Sequence, residues 1–174
     1  MNRLCSSKKF LIAAAVALLV VCMAIPALAE VKIGQVQFAA HGTKCFAVMT
    51  VAMEGDKIAA AYIDEYQFMG EGSIGVPNSD ADFGTAYPEG KVLVSKRVNN
   101  EAYSANMAKA GSTVMLADNY AAIEAFVTGK TLAELEAAVA GKDAAAMVDA
   151  VSGCTLVDTL GYVNGLIAAA KAAL

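Results

Sequence analysis

The sequence predicts an α+β fold: one domain in which an antiparallel sheet with a central hairpin packs against several helices. Two observations predict it. After residue 29, the first half of the chain contains apolar and β-branched runs separated by turn residues, which is typical of strands. The second half has apolar residues at helical spacing and a helix-capping signal. Strands grouped before helices, rather than alternating with them, favour the α+β class.

Three strands are predicted in the first half. Residues 30–38 alternate (EVKIGQVQF), and residues 45–53 (CFAVMTVAM) are rich in β-branched and apolar side chains. A turn, EGDK, leads into residues 58–66 (IAAAYIDEY), so the last two strands form a hairpin that we expect at the centre of the sheet. Residues 69–90 contain Gly, Pro, Asn, Ser and Asp without apolar periodicity, which predicts a long loop.

The second half is predicted to be helical throughout. Thr131-Leu132-Ala133-Glu134 is a capping box, and the helix that it starts ends at Gly141, a residue suited to a left-handed C-terminal position. The last helix carries one apolar stripe at helical spacing. The closing helix is predicted over residues 156–174, and three further helices over residues 102–110, 119–127 and 143–150.

The first 29 residues have the layout of a secretory signal peptide. A basic start precedes an apolar run from Phe10 to Ile25, and Ala27-Leu28-Ala29 is a small-x-small cleavage site. A retained membrane anchor is disfavoured because the run is shorter than the roughly 20 residues a spanning helix needs, and Pro26 interrupts it. A lipid anchor at Cys22 is disfavoured by the preceding Val21. We therefore expect a leader of residues 1–29, a domain of residues 30–174 and an extracytoplasmic location.

Charge and residue usage exclude several functions. Three of the 13 basic residues lie in the leader, so residues 30–174 contain 10 basic and all 17 acidic residues. The resulting net charge of −7 disfavours nucleic acid as a partner. The two cysteines that remain, Cys45 and Cys154, could pair in an oxidising compartment. The single histidine, His41, lies four residues from Cys45, but a metal site there is disfavoured because the region is predicted as loop and strand. One histidine also leaves few general bases, so a hydrolase is disfavoured.

Residues 149–158 (DAVSGCTLVD) are a strip of small residues between two predicted helices. Ser152 and Gly153 break the first helix, and Thr155 is expected at or near the start of the last. A helix start leaves N–H groups unpaired and favours anions, phosphate above all. Local sequence alone favours an ordinary cap, with Ser152 or Thr155 capping and Asp158 completing a capping box.

The seven residues DAVSGCT, from Asp149 to Thr155, resemble the flavinylation motif of FMN-binding domains, Asp-x-x-Ser/Thr-Gly-Ala-Thr. Such domains occur in one component of the sodium-pumping NADH:quinone reductase, in its Rnf-complex relative and in extracytoplasmic electron-transfer flavoproteins. The resemblance covers most of residues 31–174 and includes the order of hairpin, motif and closing helix. The sequence departs from the motif at Cys154, where the family usually has alanine.

The resemblance implies a covalent FMN on Thr155. In the family, an FAD-dependent protein FMN transferase moves FMN from FAD to the final threonine and leaves a phosphoester. Gly153 and the small Cys154 then let the transferase close over the backbone, Asp149 serves its recognition, and Ser152 remains as the helix cap. Cys154 is interpreted as a small buried substitute for alanine. A thiol that pairs with Cys45 or tunes the site is the alternative.

The flavin ring needs apolar or aromatic walls and a few hydrogen bonds. From the second half of the resemblance, Tyr103, Ser104 and Met107 are candidates for these contacts, and Lys96 or Arg97 for stabilising an anionic reduced ring. Core packing or surface solvation is the competing interpretation for each. The remaining candidates lie at the entrance of the long loop: Tyr66, Phe68 and Met69.

The predicted function is therefore an exported electron carrier rather than a stand-alone enzyme. It would relay electrons from a membrane redox donor, a quinol or a flavoprotein, to an extracytoplasmic acceptor. One alternative is a redox-inactive module of the same fold that binds a ligand or partner noncovalently. Another is the flavin domain of a separate reductase.

Overall fold

A four-stranded antiparallel sheet with the strand order β1-β2-β3-β4 organises the domain. The computed structural model describes residues 30–174, so the predicted leader lies outside the described residues. Residues 31–174 form one compact unit. The strands are β1 (Val31–Phe38), β2 (Cys45–Glu54), β3 (Lys57–Gly70) and β4 (Lys91–Ser95).

The predicted hairpin is confirmed at the centre of the sheet. Strands β2 and β3 pair from Cys45↔Gln67 to Glu54↔Lys57 with one register shift between Ala52 and Met53, and Gly55 takes a positive φ of 63° in the turn. Strand β3 runs beyond its predicted end because β4 pairs with its last five residues. Strand β4 was not predicted, because its five residues are too short a run to be distinguished from loop without their partner strand.

The helices are confirmed as elements, and the starting residues of two of them are corrected. They are α1 (Asn100–Lys109), α2 (Leu116–Val127), α3 (Leu132–Val139), α4 (Ala144–Ala150) and α5 (Thr159–Ala172). The capping box at Thr131 and Glu134 is present, and Gly141 has the expected positive φ. The helix predicted from residue 119 begins at Leu116. The last helix begins at Thr159, not at residue 156, because the residues just before it form a turn in which the backbone N–H of Thr159 donates to the carbonyl oxygen of Leu156 (3.1 Å).

The core lies between one face of the sheet and the helices. Helix α5 packs across β1 and β2, and α2 packs against β3. Glycines bring α5 close to the sheet: a Cβ at Gly34 would lie 1.9 Å from the carbonyl oxygen of Ala169, and one at Gly165 would lie 2.2 Å from Sδ of Met49. Side chains larger than hydrogen at these two positions would push the helix off the sheet.

The long loop between β3 and β4 is held to the domain by the side chain of Asn99 and by a backbone hydrogen bond from the N–H of Val76 to the carbonyl oxygen of Leu93 (2.8 Å). It contains a short 3-10 helix (Asp82–Ala86). The side chain of Asn99 accepts from the backbone N–H of Ile74 (2.8 Å) and donates to the carbonyl oxygens of Ile74 and Ser95 (2.9 Å each). The loop is therefore an ordered cover beside β4.

Candidate functional site

The motif DAVSGCT occupies the end of α4 and the turn before α5. Helix α4 ends at Ala150, and buried Val151 anchors the turn that follows. Gly153 has φ 85°, a left-handed conformation that residues with a Cβ rarely adopt, which explains glycine at this position. Cys154 is buried and Thr155 is exposed. The turn thus presents the threonine side chain to solvent.

Asn119 of α2 holds Thr155 in place. Its Oδ1 accepts from the backbone N–H of Thr155 (2.7 Å) and lies 3.3 Å from Thr155 Oγ1. Its Nδ2 donates to the carbonyl oxygens of Val114 (3.2 Å) and Met115 (2.9 Å). Asn119 is fully buried, so these bonds satisfy an amide that water does not reach. The hydrogen bond from the backbone N–H of Thr155 to Asn119 does not need a free hydroxyl on Thr155, so it can persist when that hydroxyl is esterified.

Neither Ser152 nor Thr155 caps the last helix, so that prediction is wrong. The N-cap residue of α5 is Asp158, and no side chain makes a capping hydrogen bond there. The carboxylate of Asp158 is bonded to His41 instead, which also excludes the capping box predicted for it. Ser152 is exposed on the turn before α5, and Asp149 is exposed near the end of α4. Thr155 lies four residues before α5, so a group attached to it starts outside the first turn of that helix.

The two thiols of the described chain are both free and are bonded to different groups. Cys154 Sγ lies 3.1 Å from Oγ1 of buried Thr159, which itself donates to the carbonyl oxygen of Leu156 (2.5 Å). Cys45 Sγ donates to the carbonyl oxygen of His41 (2.6 Å). The structure contains no disulfide between Cys45 and Cys154, and Cys154 fills a small buried space.

A cavity of about 420 Å³ opens beside Thr155. Thr155 and the next three residues form one side, and Tyr103 and Met107 of α1 form another. Leu116 and Tyr162 add apolar and aromatic surface. The volume is in the range of small-molecule sites, and the lining combines aromatic faces with a few polar groups. The structure therefore brings three residues singled out in the sequence, Thr155, Tyr103 and Met107, to one cavity.

A second cavity, of about 440 Å³, also lies beside α1. Phe68 and Met69, at the entrance of the long loop, line it together with Lys91. Tyr103 and Met107 line both cavities, so α1 contributes to the walls of both. Tyr66 stacks on Phe46 with ring centroids 5.6 Å apart and does not line either cavity.

Ser104 and Lys96 lie behind the walls of the Thr155 cavity. The Ser104 hydroxyl accepts from the backbone N–H of Leu116 (2.9 Å) and donates to Asn100 Oδ1 (3.2 Å), so it joins α1 to α2. Lys96 is 1% exposed, and its Nζ lies 4.7 Å from the centre of the Tyr103 ring. Lys96 therefore supports the cavity wall from the interior.

The partner of Lys96 is Glu65, which is fully buried. Glu65 Oε2 accepts from Lys96 Nζ (2.5 Å) and from the hydroxyls of Tyr120 (3.2 Å) and Tyr162 (3.0 Å). Burial alone would lower the pKa of Lys96, but the neighbouring Glu65 carboxylate outweighs it, and the pKa is raised above its ordinary value. Burial, the Tyr120 hydroxyl and Glu65 raise the pKa of Tyr162, which therefore stays a donor. The network is charge-balanced and internally satisfied.

The pairing of His41 with Asp158 was not predicted. His41 Nδ1 lies 2.5 Å from Asp158 Oδ2, and both side chains line the Thr155 cavity. The loop carrying His41 approaches α5 closely at Gly161, where a Cβ would lie 2.3 Å from the carbonyl oxygen of Ala40. The two residues are 117 positions apart, and the only local signal was a lone histidine. Only the packing of this loop on α5 brings them together.

Within residues 30–174, no cluster of three or more His, Cys, Asp or Glu side chains has a geometry that could hold a metal ion. That part of the chain also lacks any helix with the length and apolar character needed to cross a bilayer. Comparisons with models of protein families, with curated proteins and with solved structures each found no match.

Proposed function

We propose that this protein is an exported flavoprotein electron carrier with FMN esterified to Thr155. The observation that carries the proposal is the position of Thr155: the last residue of DAVSGCT is exposed at the edge of a cavity with aromatic walls. An acceptor for a transferase must be reachable by a second protein, and a tethered cofactor needs a pocket within reach of its tether. Thr155 meets both requirements.

The residues of the cavity suit a flavin. Tyr103, Met107 and Leu116 offer apolar and aromatic surface for a planar ring, and Tyr162 adds a second aromatic side chain. The volume of about 420 Å³ lies within the range of cofactor pockets. When bound, FMN would supply the one-electron and two-electron redox chemistry that the side chains themselves lack.

In the proposed modification, the Thr155 hydroxyl oxygen forms a bond to the FMN phosphorus of FAD, AMP leaves, and the hydroxyl proton is released. Asn119 holds the backbone of Thr155 while its side chain stays exposed to the transferase. Gly153 leaves the approach open, since a Cβ there would contact only Ala122, at 3.7 Å. A covalent tether suits a carrier outside the cytoplasm because it keeps the effective concentration of the cofactor high at the pocket.

The partners follow from this chemistry. They are the FAD-dependent FMN transferase, a membrane redox donor such as a quinol or flavoprotein, and an extracytoplasmic electron acceptor. The acidic chain is not suited to nucleic acid. The alternative of a redox-inactive binding module is kept open by Cys154, which replaces the alanine of the motif.

The test is production of the full chain in an exporting host that contains the transferase. Flavin fluorescence is read on a denaturing gel, and the intact mass is measured. We expect the wild type to gain one FMN less a water and Thr155→Val to gain nothing. Thr128→Val is the matched control, because it makes the same change at an exposed threonine outside the motif and should still be modified.

A wild type that stays unmodified in that host would refute the covalent carrier. A protein that is yellow but loses its flavin on denaturation would point to noncovalent binding. The carrier role is tested separately: the loaded protein should be reduced by a low-potential donor and reoxidised by an external one-electron acceptor, followed by flavin absorbance. Loaded protein that cannot be cycled in this way would favour the redox-inactive module.

A further inference from the structure

The cations that the sequence placed near the cofactor are engaged elsewhere. Lys96 Nζ is bonded to buried Glu65. Arg97 donates to Glu124 (2.5 Å) and to the carbonyl oxygen of Ile63 (2.8 Å). Neither residue lines the cavity beside Thr155, so neither is free to face a negative charge that develops there.

His41 is placed to take that role. Among the residues of the described chain that line the Thr155 cavity, it alone carries a basic nitrogen. An imidazole changes its charge near neutral pH, whereas lysine and arginine stay charged. The cavity therefore faces a group that can gain a positive charge under physiological conditions.

Asp158 determines which nitrogen of His41 takes the proton. A carboxylate only accepts hydrogen bonds, so the contact of 2.5 Å keeps a hydrogen on Nδ1. Nε2 is then the basic nitrogen of the neutral ring. The contact also fixes the orientation of the ring, and the close packing of Ala40 on Gly161 holds the loop in position. His41 is thus held in the cavity wall by two independent contacts.

Several other ionisable groups surround His41: Tyr103 of α1, Asp158 and Tyr162 at the start of α5, and Lys44 and Cys45 in its own segment. Burial and the Glu65 carboxylate raise the pKa of Cys45 to about 11, and burial raises the pKa of Tyr162, so both are neutral near pH 7. Lys44 is exposed and lies outside the residues that line the cavity. Asp158 is then the charged group in direct contact with His41.

We propose that His41 is the charge-compensating residue of this cavity and binds a proton when the cofactor tethered to Thr155 is reduced. The inference rests on the proposed function. An external donor is oxidised and delivers an electron, which places negative charge in the cavity. One proton from solvent binds Nε2 of His41, and the resulting imidazolium is balanced by Asp158 on its other side. No covalent bond between His41 and the cofactor forms or breaks.

The first measurement is NMR of the imidazole across pH in the loaded protein. The chain contains one histidine, so its signal needs no assignment by mutation if the purification tag lacks histidine. We expect the midpoint of the titration to move to higher pH when the flavin is reduced. Unloaded Thr155→Val protein, treated with the same reductant, should show no movement. A loaded protein whose midpoint is the same in both redox states would overturn the proposal.

The second measurement is the reduction potential across pH for the wild type, His41→Gln and Lys44→Gln. The wild type should have a higher potential than His41→Gln at acid pH, and the difference should vanish at alkaline pH, where His41 is neutral. Lys44→Gln removes a positive charge from the same loop and should not reproduce this pH dependence. Equal potentials for the wild type and His41→Gln at every pH would also overturn the proposal.

Intact mass shows whether FMN is attached, which distinguishes failure of the covalent carrier from failure of the role of His41. A wild type without bound FMN would overturn the covalent carrier and this proposal together. Loaded wild-type and His41→Gln proteins with matching potentials would overturn only the role of His41. If His41→Gln fails to fold, the redox-dependent NMR titration of the wild type decides alone.

Discussion

The backbone N–H of Thr155 donates to the side-chain oxygen of Asn119 over 2.7 Å. Asn119 is fully buried in α2, 36 residues earlier in the chain. The same amide donates to two carbonyl oxygens just before α2. One side chain therefore joins the start of α2 to the turn that presents the candidate acceptor, and the position of Thr155 depends on that joint.

Replacing Asn119 with alanine should loosen the turn. The change leaves the backbone N–H of Thr155 without its acceptor, whereas the carbonyl oxygens of Val114 and Met115 keep other donors. An unsatisfied buried polar group costs about 1–3 kcal/mol. We expect a loss of unfolding free energy of that size in urea, together with slower flavinylation by intact mass. Asn106→Ala, which alters an exposed asparagine of α1, should change neither. Wild-type stability in Asn119→Ala would contradict the anchoring role.

The buried pair of Lys96 and Glu65 should behave as a unit. Lys96→Met leaves a fully buried carboxylate without its cation and should cost about 3–5 kcal/mol of unfolding free energy. Combining Lys96→Met with Glu65→Gln removes both charges and should recover most of this loss, since the amide oxygen still accepts from Tyr120 and Tyr162. Urea unfolding of the two single variants and the double variant measures the coupling. Additive losses would contradict it.

The same pair predicts a stability change at alkaline pH. The folded-state pKa of Lys96 is raised above its ordinary value of 10.5, so its charged form stabilises the fold. That contribution is fully present below pH 10.5 and is lost as pH rises through the folded-state pKa. Unfolding free energy measured in urea should therefore fall above this range, and more steeply in the wild type than in the double variant. Parallel curves would argue against the pair as the cause.

Cys45 should react slowly with alkylating reagents. Burial and the nearby Glu65 raise the pKa of its thiol from 9.0 to about 11. Only the thiolate is nucleophilic, so at pH 8 the reactive fraction should be about a hundredfold smaller than for an ordinary thiol. Iodoacetamide labelling of a chain that begins at Glu30 and carries Cys154→Ala isolates Cys45. The rate should increase with pH and reach the ordinary value in urea. Fast labelling of the folded protein at pH 8 would be inconsistent with this environment.

Cys154→Ala should restore the residue that the resemblance expects. The thiol is buried and contacts Thr159, whose hydroxyl keeps its bond to Leu156 without it. We expect flavinylation at least equal to that of the wild type, because alanine is smaller, and a loss of unfolding free energy below about 1.5 kcal/mol. Intact mass over a time course with the transferase, followed by urea unfolding, tests both points. Cys154→Leu is the opposing control and should slow modification by crowding the turn.

Local patterns in the sequence predicted most of the fold. The hairpin of β2 and β3 has a turn between two runs of β-forming and apolar residues, and the capping box at Thr131 is a contact between neighbours. These elements depend on residues close in the chain, and the structure confirms them. Strand β4 was missed because it is defined by pairing with the end of β3, which lies far away in the chain. The first residue of α5 was misplaced because Thr155 and Asp158, which precede the helix, are held by the distant residues Asn119 and His41.

The candidate site divides in the same way. Composition and local periodicity were enough to predict the α+β class, and the resemblance of the sequence to FMN-binding domains singled out Thr155, Tyr103 and Met107 as candidates. That these three residues line one cavity, with Lys96 paired to Glu65 behind its wall, became clear only from the packed chain. The meeting of His41 and Asp158 is of the same kind. The physical reason is that burial and charge pairing depend on which distant segments pack together. Glycines such as Gly161 permit that close packing, but a glycine in the sequence does not indicate which segment will pack against it.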